Sequence, residues 1–220
     1  MIYVIGLGPG DPELITVKAQ RILSEAEVIF VPYSTGTNRS LALEIVEKFA
    51  KGEIVTLGFP MKKDVKDEEL KEIAKIICEK SIGNKVSAFV TLGDPTLYST
   101  FFRVFNFLSC QEIEIIPGVS SITACPSKVK IPLALKNEAI AIIPADRLDL
   151  INLAKGKFET ILIMKANENL AEIKELLFPY YNIIYARRCY MEGEDIHELK
   201  GDEDRDYFST LICKVKENER

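Results

Sequence analysis

Asp94 is the residue of this chain whose type and position most directly suggest ligand binding. It stands in a Gly-Asp-Pro turn after an apolar run, where residues 91–100 read TLGDPTLYST. A glycine lets the backbone approach a small molecule, the aspartate offers a fixed hydrogen-bond acceptor, and open α/β sheets bind ligands beyond the carboxyl ends of their strands. The same residue types also form ordinary tight turns, so the neighbouring loops must decide between the two interpretations.

Two other loops share these properties. Residues 6–16 read GLGPGDPELIT and residues 117–124 read PGVSSITA; both loops follow apolar runs and precede helical patterns. Pro9 and Pro12 fix backbone torsions in the first loop, which predicts a rigid wall. The small and hydroxyl residues of the other loop allow a ligand to approach, or they cap the next helix. Because a doubly wound sheet gathers such strand ends on one side, we expect the three loops to line one binding site.

The first loop does not fit the usual nucleotide-binding patterns. A dinucleotide-binding loop would need its third glycine at position 11, where Asp11 would instead place a negative charge against a pyrophosphate. The acidic residue expected after the second strand of that fold is also missing from the sequence, and no Gly-Lys-Ser/Thr follows at the spacing of a P-loop. The loop is therefore not expected to cradle phosphates.

Cysteine and histidine usage argues against metal sites and histidine-based catalysis. The five cysteines are scattered through the chain and never form a Cys-x-x-Cys pair, which indicates neither a zinc site nor a disulfide framework. His197 is the only histidine and lies in a charged stretch of the sequence, so we expect it to have a surface or packing role. We predict that the protein itself binds no metal.

Charge and hydropathy narrow the classes of partner. The net charge of −5, without a basic block interleaved with aromatic residues, is not typical of a nucleic-acid-binding protein. No apolar stretch of the sequence reaches the roughly 20 residues that span a bilayer, and the first residues do not resemble a signal peptide. We therefore expect a cytoplasmic protein with neither a membrane nor a nucleic acid as partner.

Alternating apolar runs and helical patterns in the first half of the chain predict a parallel sheet with crossover helices. The predicted strands are residues 2–5, 28–31, 53–57, 86–91 and 113–116. Pro132 lies where this pattern is interrupted, which places a domain boundary there and predicts domains of residues 1–131 and 132–220.

The second half of the chain has fewer and less uniformly apolar runs. Its predicted strands are residues 139–143, 160–164, 183–186 and 210–215, and its predicted helices are residues 148–154 and 170–177. This pattern favours a mixed sheet with antiparallel pairs. The predicted fold class is thus α/β with two domains, a mostly parallel N-terminal sheet flanked by helices and a C-terminal mixed α/β domain.

In combination and order, the three glycine loops resemble those of the tetrapyrrole (class III) methyltransferases, which use S-adenosylmethionine. The resemblance covers nearly the whole chain. Within the family, the extended middle loop, residues 92–100, is similar to the branch of precorrin-2 or cobalt-factor II C20-methyltransferases, as are Val31 with Pro32 and residues 120–124 followed by residues 131–133. The resemblance implies a two-domain tetrapyrrole methylase fold, a cofactor held in the cleft between the domains, and a homodimer.

The resemblance also implies roles for individual residues. The positions that match cofactor contacts are Pro9, Gly93, Asp94, Leu97, Ser120, Ser121, Met164, Arg187 and Thr210. The positions expected to bind the tetrapyrrole substrate are Gly8, Gly10, Asp11, Arg39 and Arg188. Asp94 is accordingly interpreted as an anchor for the cofactor and not as a catalytic acid.

The implied reaction needs positioning more than covalent chemistry. Methyl transfer from a sulfonium to the electron-rich C20 bridge carbon is an in-line displacement, after which one base must remove the C20 proton. The sequence does not identify that base, for which Tyr98, Tyr33 and Asp11 are candidates.

Because the substrate carries many carboxylates and the protein is acidic, local cations are also required. The candidates are Arg39, Lys62, Lys63, Arg103, Lys165, Arg187 and Arg188, of which adjacent Arg187 and Arg188 are favoured for bidentate pairing.

The sequence leaves two other functions open. One is methylation of a different ring carbon by another member of the same family, and the other is binding of S-adenosylmethionine without any transfer. The sequence is also compatible with a metal-free or a cobalt-loaded substrate, since the tetrapyrrole itself would ligate the cobalt.

Overall fold

The computed structural model describes residues 1–34, 41–60, 65–200 and 206–216. The chain divides into two compact units, Met1–Ser120 and Ser121–Arg220. This division comes earlier than the predicted boundary between residues 131 and 132, because the helix after the third glycine loop packs with the second unit. Its Cys125 shares a buried cluster with Leu162 and Ile212. No helix within the described ranges is long and apolar enough to cross a membrane.

The described part of the first unit is built on a five-stranded sheet. Its strands are β1 (Ile2–Gly6), β2 (Val28–Ser34), β3 (Glu53–Phe59), β4 (Ser87–Thr91) and β5 (Ile113–Ile116). They lie in the order β3-β2-β4-β1-β5, and the neighbouring strands are parallel, as predicted. Ile5 of β1 is in register with Val90 of β4 and Ile116 of β5, so the carboxyl ends of these three strands lie side by side.

Helices connect these strands and cover the sheet. They are α1 (Val17–Glu25), α2 (Leu41–Val46), α3 (Asp67–Ser81) and α4 (Phe101–Val104). The Thr16 hydroxyl caps α1 by accepting the Ala19 amide (3.2 Å), and Ala19 and Leu23 lie four residues apart on its buried face. In β1, Ile5 and Val4 pack into two different buried clusters. Apolar residues therefore cover both faces of the sheet, which explains the nearly continuous apolar runs in its strands.

The second unit also carries a sheet with helices. Its elements are α5 (Ser121–Val129), β6 (Ile140–Pro144), α6 (Leu148–Ala154), β7 (Thr160–Met164), α7 (Leu170–Leu177), β8 (Tyr181–Arg187), β9 (Asp195–Glu198) and β10 (Ser209–Val215). The described strands lie in the order β6-β7-β10-β8-β9; β6 and β7 are parallel, and the other neighbours are antiparallel. The predicted mixed sheet is confirmed. β9 was not predicted, because its sequence DIHE lies in a charged stretch and the strand sits at the sheet edge beside β8.

Side chains of the second sheet alternate between two buried clusters. Ile161 and Ile163 of β7 pack with apolar residues of α6 and α7. Leu162, between them, lies in the cluster that contains Ile212 of β10 and Cys125 of α5. The face of the sheet that carries Leu162 is therefore the face against which α5 packs.

Two disulfides contradict the prediction that the cysteines form no such framework. Cys78 of α3 is bonded to Cys110 before β5, and Cys125 of α5 is bonded to Cys189 after β8. The partners are 32 and 64 residues apart along the chain, so no local spacing marks them. Only the fold brings their Cα atoms to 5.6 and 5.5 Å. Cys213 is buried in β10 and belongs to neither disulfide.

Candidate functional site

The three glycine loops meet within the first unit at the carboxyl ends of β1, β4 and β5. A Cβ atom added to Gly6 would lie 2.6 Å from both the Gly118 nitrogen and the Gly93 oxygen, and a Cβ atom added to Gly118 would lie 2.3 Å from that same oxygen. Any larger residue at Gly6 or Gly118 would therefore displace backbone. We call this backbone contact of Gly6, Gly93 and Gly118 the glycine junction.

Two backbone hydrogen bonds tie the first loop to the middle loop. The Gly8 amide donates to the Gly93 oxygen (3.3 Å), and the Gly93 amide donates to the Gly8 oxygen (2.7 Å). Both residues have φ in the left-handed region, +84° for Gly8 and +68° for Gly93, which glycine adopts without strain. A Cβ atom at Gly93 would meet no atom of the described residues within 4 Å. Among the described residues, nothing therefore blocks the position that a side chain at Gly93 would take.

The Asp94 carboxylate bridges the middle and third loops. Its Oδ1 accepts hydrogen bonds from the Thr96 amide (2.8 Å) and the Thr96 hydroxyl (2.5 Å), and its Oδ2 accepts the Gly118 amide (3.0 Å). Burial raises the pKa of Asp94, but the hydrogen bonds from Thr96 and Gly118 outweigh burial, and the pKa lies below its usual value. Asp94 therefore holds a fixed negative charge at the glycine junction.

The Thr96 contact was not predicted from the sequence. The signal for it is the Asp-x-Thr spacing, which places the threonine amide and hydroxyl within reach of the same carboxylate. The same spacing is common in ordinary turns. It indicates a link between two loops only together with the Gly118 amide, which donates to the other carboxylate oxygen. The hydrogen bond between the two loops thus depends on a residue that the motif alone does not mark.

The other loop residues predicted to contact the cofactor are Pro9 in the first loop, Leu97 in the middle loop, and Ser120 and Ser121 in the third loop. Pro9 is buried in the first loop. The Leu97 amide donates to the Asp94 backbone oxygen (3.2 Å) and closes the turn. Ser120 is the last residue of the first unit, and Ser121 begins α5 of the second unit. Both serines are partly buried.

The three candidate bases differ in their surroundings. The Asp11 carboxylate accepts the Glu13 amide (2.9 Å) and so caps the short 3₁₀ turn Pro12–Leu14. Tyr33 is half-buried near the end of β2. Tyr98 is 48% exposed and has a φ of +52°, which is unusual for a tyrosine. Of the three candidates, only Tyr98 has this backbone conformation, which several other non-glycine residues of the described chain share, and the identity of the base stays a prediction.

In the second unit, Met164 and Thr210 come together and Arg187 lies apart from them. Met164 pairs with Thr210 across β7 and β10, and the Thr210 hydroxyl lies 3.9 Å from the Met164 sulfur. Both side chains are buried, on the face that carries Leu162. Arg187 ends β8 at the same end of the strands as Met164 and Thr210. Strand alternation places its side chain on the opposite face of the sheet, where a guanidinium nitrogen lies 3.9 Å from Asp195. The cofactor roles of these three residues stay predictions.

The two adjacent arginines have carboxylates nearby. The Arg188 Nε donates to the Asp206 Oδ2 (2.6 Å), and Asp195 faces Arg187 as described. Burial raises the pKa of Asp206, but hydrogen bonds from Arg188 and the Phe208 amide, together with the positive charge of Arg188, hold it below its usual value. These ion pairs reduce the positive field that the arginines would offer to substrate carboxylates.

The other predicted cations are dispersed. Arg103 donates to the Pro60 oxygen (3.0 Å), and the Lys165 ammonium lies 5.5 Å from the centre of the Tyr207 ring. Arg39, Lys62 and Lys63 lie outside the described residues. Among the residues that the structure describes, no group of three or more His, Cys, Asp or Glu side chains could hold a metal ion.

Comparison with known proteins gives a family match and close relatives. The family model described as tetrapyrrole (corrin/porphyrin) methylases matches residues 1–203. The chain is 38% identical to a probable cobalt-precorrin-2 C(20)-methyltransferase of Methanocaldococcus jannaschii, over 97% of this chain and 95% of that protein. It is 31% identical to a cobalt-precorrin-2 C(20)-methyltransferase of Salmonella typhimurium, over 96% of this chain and 94% of that protein.

Solved structures share the fold at lower sequence identity. A cobalt precorrin-4 methyltransferase has a TM-score of 0.74 and 20% identity, covering 97% of this chain and 94% of that one. A uroporphyrin-III C-methyltransferase from Thermus thermophilus, complexed with S-adenyl homocysteine, has a TM-score of 0.69 and 22% identity, covering 97% and 91%. These likenesses agree with the predicted α/β fold class.

Proposed function

The chain belongs to the tetrapyrrole (corrin/porphyrin) methylases, and from this premise we propose that it transfers a methyl group from S-adenosylmethionine to C20 of precorrin-2 or its cobalt-containing counterpart, in cobalamin biosynthesis. The observation that carries the proposal is the similarity, over nearly the whole chain, to two relatives named as cobalt-precorrin-2 C(20)-methyltransferases. The glycine junction and its ionised Asp94 support the cofactor part of the proposal.

The chemistry of the middle loop fits S-adenosylmethionine. This cofactor is a sulfonium that also carries an ammonium group and ribose hydroxyls, so it offers positive charge and hydrogen-bond donors. Asp94 offers a fixed negative charge and an acceptor, and no described atom lies within 4 Å of the position that a Cβ atom at Gly93 would take. A solved protein of the same fold is complexed with S-adenyl homocysteine. We therefore assign Gly93, Asp94 and Leu97 to cofactor binding.

The proposed reaction requires the protein to orient the cofactor, to stabilise its positive charge and to supply a base. S-adenosylmethionine supplies the methyl group as an electrophile; the C–S bond breaks with its electron pair left on sulfur, and the C20–CH₃ bond forms. The loops of the glycine junction hold the cofactor in one orientation, because in-line displacement requires the two centres near contact distance. The negative charge of Asp94 favours the cationic cofactor over its neutral product. A base, for which Tyr98, Tyr33 and Asp11 are the candidates, then accepts the C20 proton.

An anaerobic assay tests the proposal. Purified protein is incubated with S-adenosylmethionine carrying a ¹³C-methyl group and with either metal-free or cobalt-loaded precorrin-2, and the labelled position in the product is read by NMR. We expect a single new methyl group at C20 with one or both substrates. Methylation at a different ring carbon would assign the chain to another activity of the family. Cofactor binding without transfer to either substrate would indicate a non-catalytic module.

A further inference from the structure

The Thr96 hydroxyl occupies a specific place on the Asp94 carboxylate. A carboxylate has about four acceptor directions, two on each oxygen. The Thr96 hydroxyl (2.5 Å) and amide (2.8 Å) use two directions on Oδ1, and the Gly118 amide (3.0 Å) uses one on Oδ2. One acceptor direction on Oδ2 is therefore left for a donor that is not among these groups.

We propose that Thr96 is a positioning residue for the methyl donor: its hydroxyl holds the Asp94 carboxylate so that the remaining acceptor direction on Oδ2 receives a hydroxyl or ammonium group of S-adenosylmethionine. This inference rests on the proposed function, since it concerns the same cofactor. It adds a residue that touches Asp94 and not the cofactor itself.

The surroundings of Thr96 favour a positioning role over a packing role. Thr96 is exposed, so its side chain contributes little to the buried core of the first unit. Its hydroxyl makes a short charge-assisted hydrogen bond, which is stronger than a bond between neutral groups. Losing that bond would free the carboxylate to rotate about its Cβ–Cγ bond and would weaken its hold on the Gly118 amide. The third loop would then be less firmly held against the glycine junction.

The test compares three substitutions at Thr96 with a matched control. Thr96→Val keeps the size and shape of the side chain and removes the hydroxyl, Thr96→Ala removes it without a branched side chain, and Thr96→Ser restores it. Thr100→Val is the control, because Thr100 lies in the same loop and its side chain makes no capping hydrogen bond to α4. Affinity for S-adenosylhomocysteine is measured by calorimetry, and melting temperatures are recorded for each variant.

We expect Thr96→Val and Thr96→Ala to weaken binding about tenfold, while Thr96→Ser and Thr100→Val bind like the unmodified protein. When affinity is measured against pH, the pH below which binding weakens should be higher for Thr96→Val than for the unmodified protein, because the carboxylate loses a hydrogen bond that favours its charged form. A role confined to turn stability would lower the melting temperature without changing that pH. Unchanged affinity in Thr96→Val, or a Thr96→Ser variant as weak as Thr96→Val, would overturn the proposal.

A second measurement separates this proposal from the proposed function. The pKa of Asp94 is followed by NMR of its ¹³C-labelled carboxyl group in the unmodified protein and in Thr96→Val. We expect the pKa to rise in the variant; an unchanged pKa would refute the coupling between Thr96 and Asp94. If the unmodified protein itself does not bind S-adenosylhomocysteine, the cofactor assignment fails together with the positioning role, whereas normal binding with an unaffected Thr96→Val variant refutes the positioning role alone.

Discussion

At the scale of single residues, the proposed cofactor binding depends on how Asp94 is held. The motif that contains Asp94 predicts an anchor for the cofactor, and the structure adds that three donors from its own chain already contact this carboxylate. The Asp94 carboxylate thus joins the middle and third loops, and under the proposed function it also offers its charge to the cofactor. Both roles can be measured separately.

Asp94→Asn keeps the shape of the side chain and removes its charge. We expect affinity for S-adenosylmethionine to fall by roughly ten- to a hundredfold, because a hydrogen bond to a charged group is worth about 1.5–3 kcal/mol. Calorimetry measures the affinity. Asp149→Asn is the matched control, because Asp149 is an exposed aspartate of the second unit paired with Arg147. Equal affinities for the two variants would contradict the assigned role of Asp94.

The depressed pKa of Asp94 also predicts a pH dependence of stability. A group whose pKa is lower in the folded state contributes stability that is fully present above its unfolded pKa, about 4 for aspartate, and is lost as the pH falls through the folded pKa. The advantage of the unmodified protein over Asp94→Asn in free energy of unfolding should therefore shrink as the solution is acidified below about pH 4. Urea denaturation at several pH values measures this. An advantage that stays constant into strong acid would argue against the depressed pKa.

At the scale of elements, the first unit follows closely from its sequence. Its strands were predicted because they are covered on both faces, which makes each of them a nearly continuous apolar run. β9 was missed because an edge strand with the sequence DIHE has no such run. The division between the two compact units falls before α5, since α5 continues through Pro126 and packs on the second sheet through Cys125. Sequence patterns therefore predict strands that are buried on both faces, but they do not predict which distant segments of the chain pack together.

The candidate site was likewise predictable from the sequence only in part. The three glycine loops were predicted from their positions after strands, because parallel strands place their carboxyl ends at one edge. Nothing in the sequence indicates that Gly6 and Gly118 are needed for contact with other backbone, since that contact arises only from the strand order β4-β1-β5. The placement of Arg187 on the face opposite Met164 was likewise missed, because it depends on the register of β8.

Substitution of Gly118 tests the glycine junction. In Gly118→Ala, the new Cβ atom would lie 2.3 Å from the Gly93 oxygen, so we expect a loss of about 3 kcal/mol in stability together with weaker cofactor binding. Gly83→Ala is the control: Gly83 has a φ of +84° but no described atom within 4 Å of the new Cβ, so it should cost only about 1–2 kcal/mol and leave binding unchanged. Denaturation and calorimetry measure both effects. A Gly118→Ala variant no less stable than Gly83→Ala would contradict a close backbone contact.

At the scale of the whole molecule, the two disulfides constrain each unit separately. Cys78–Cys110 lies within the first unit, and Cys125–Cys189 lies within the second. A loop of 64 residues closed by a disulfide stabilises the folded state by about 4 kcal/mol when the effect is counted as lost entropy of the unfolded chain. The bond also holds α5 near the segment after β8, where Lys128 forms an ion pair with Glu194 (3.2 Å).

Counting thiols checks the disulfides directly. Protein that is denatured without reductant should show a single reactive thiol, that of Cys213, and protein denatured after reduction should show five. Reduction should also lower the free energy of unfolding, because both closed loops are opened. Mass spectrometry after alkylation gives the count and identifies the cysteines. Five alkylated cysteines before reduction would show that the bonds do not form in solution.

The Cys125–Cys189 bond also determines how far the molecule can be stretched. Its ring encloses β6, β7 and β8, and the residues from Cys125 to Cys189, a separation of 64 along the chain, would extend to roughly 220 Å if they were free. When the chain is pulled from both ends, those residues are bypassed, because the force passes through the sulfur–sulfur bond. Rupture of the oxidised second unit should therefore release only a short contour length, and reduction should add the hidden length to the same event.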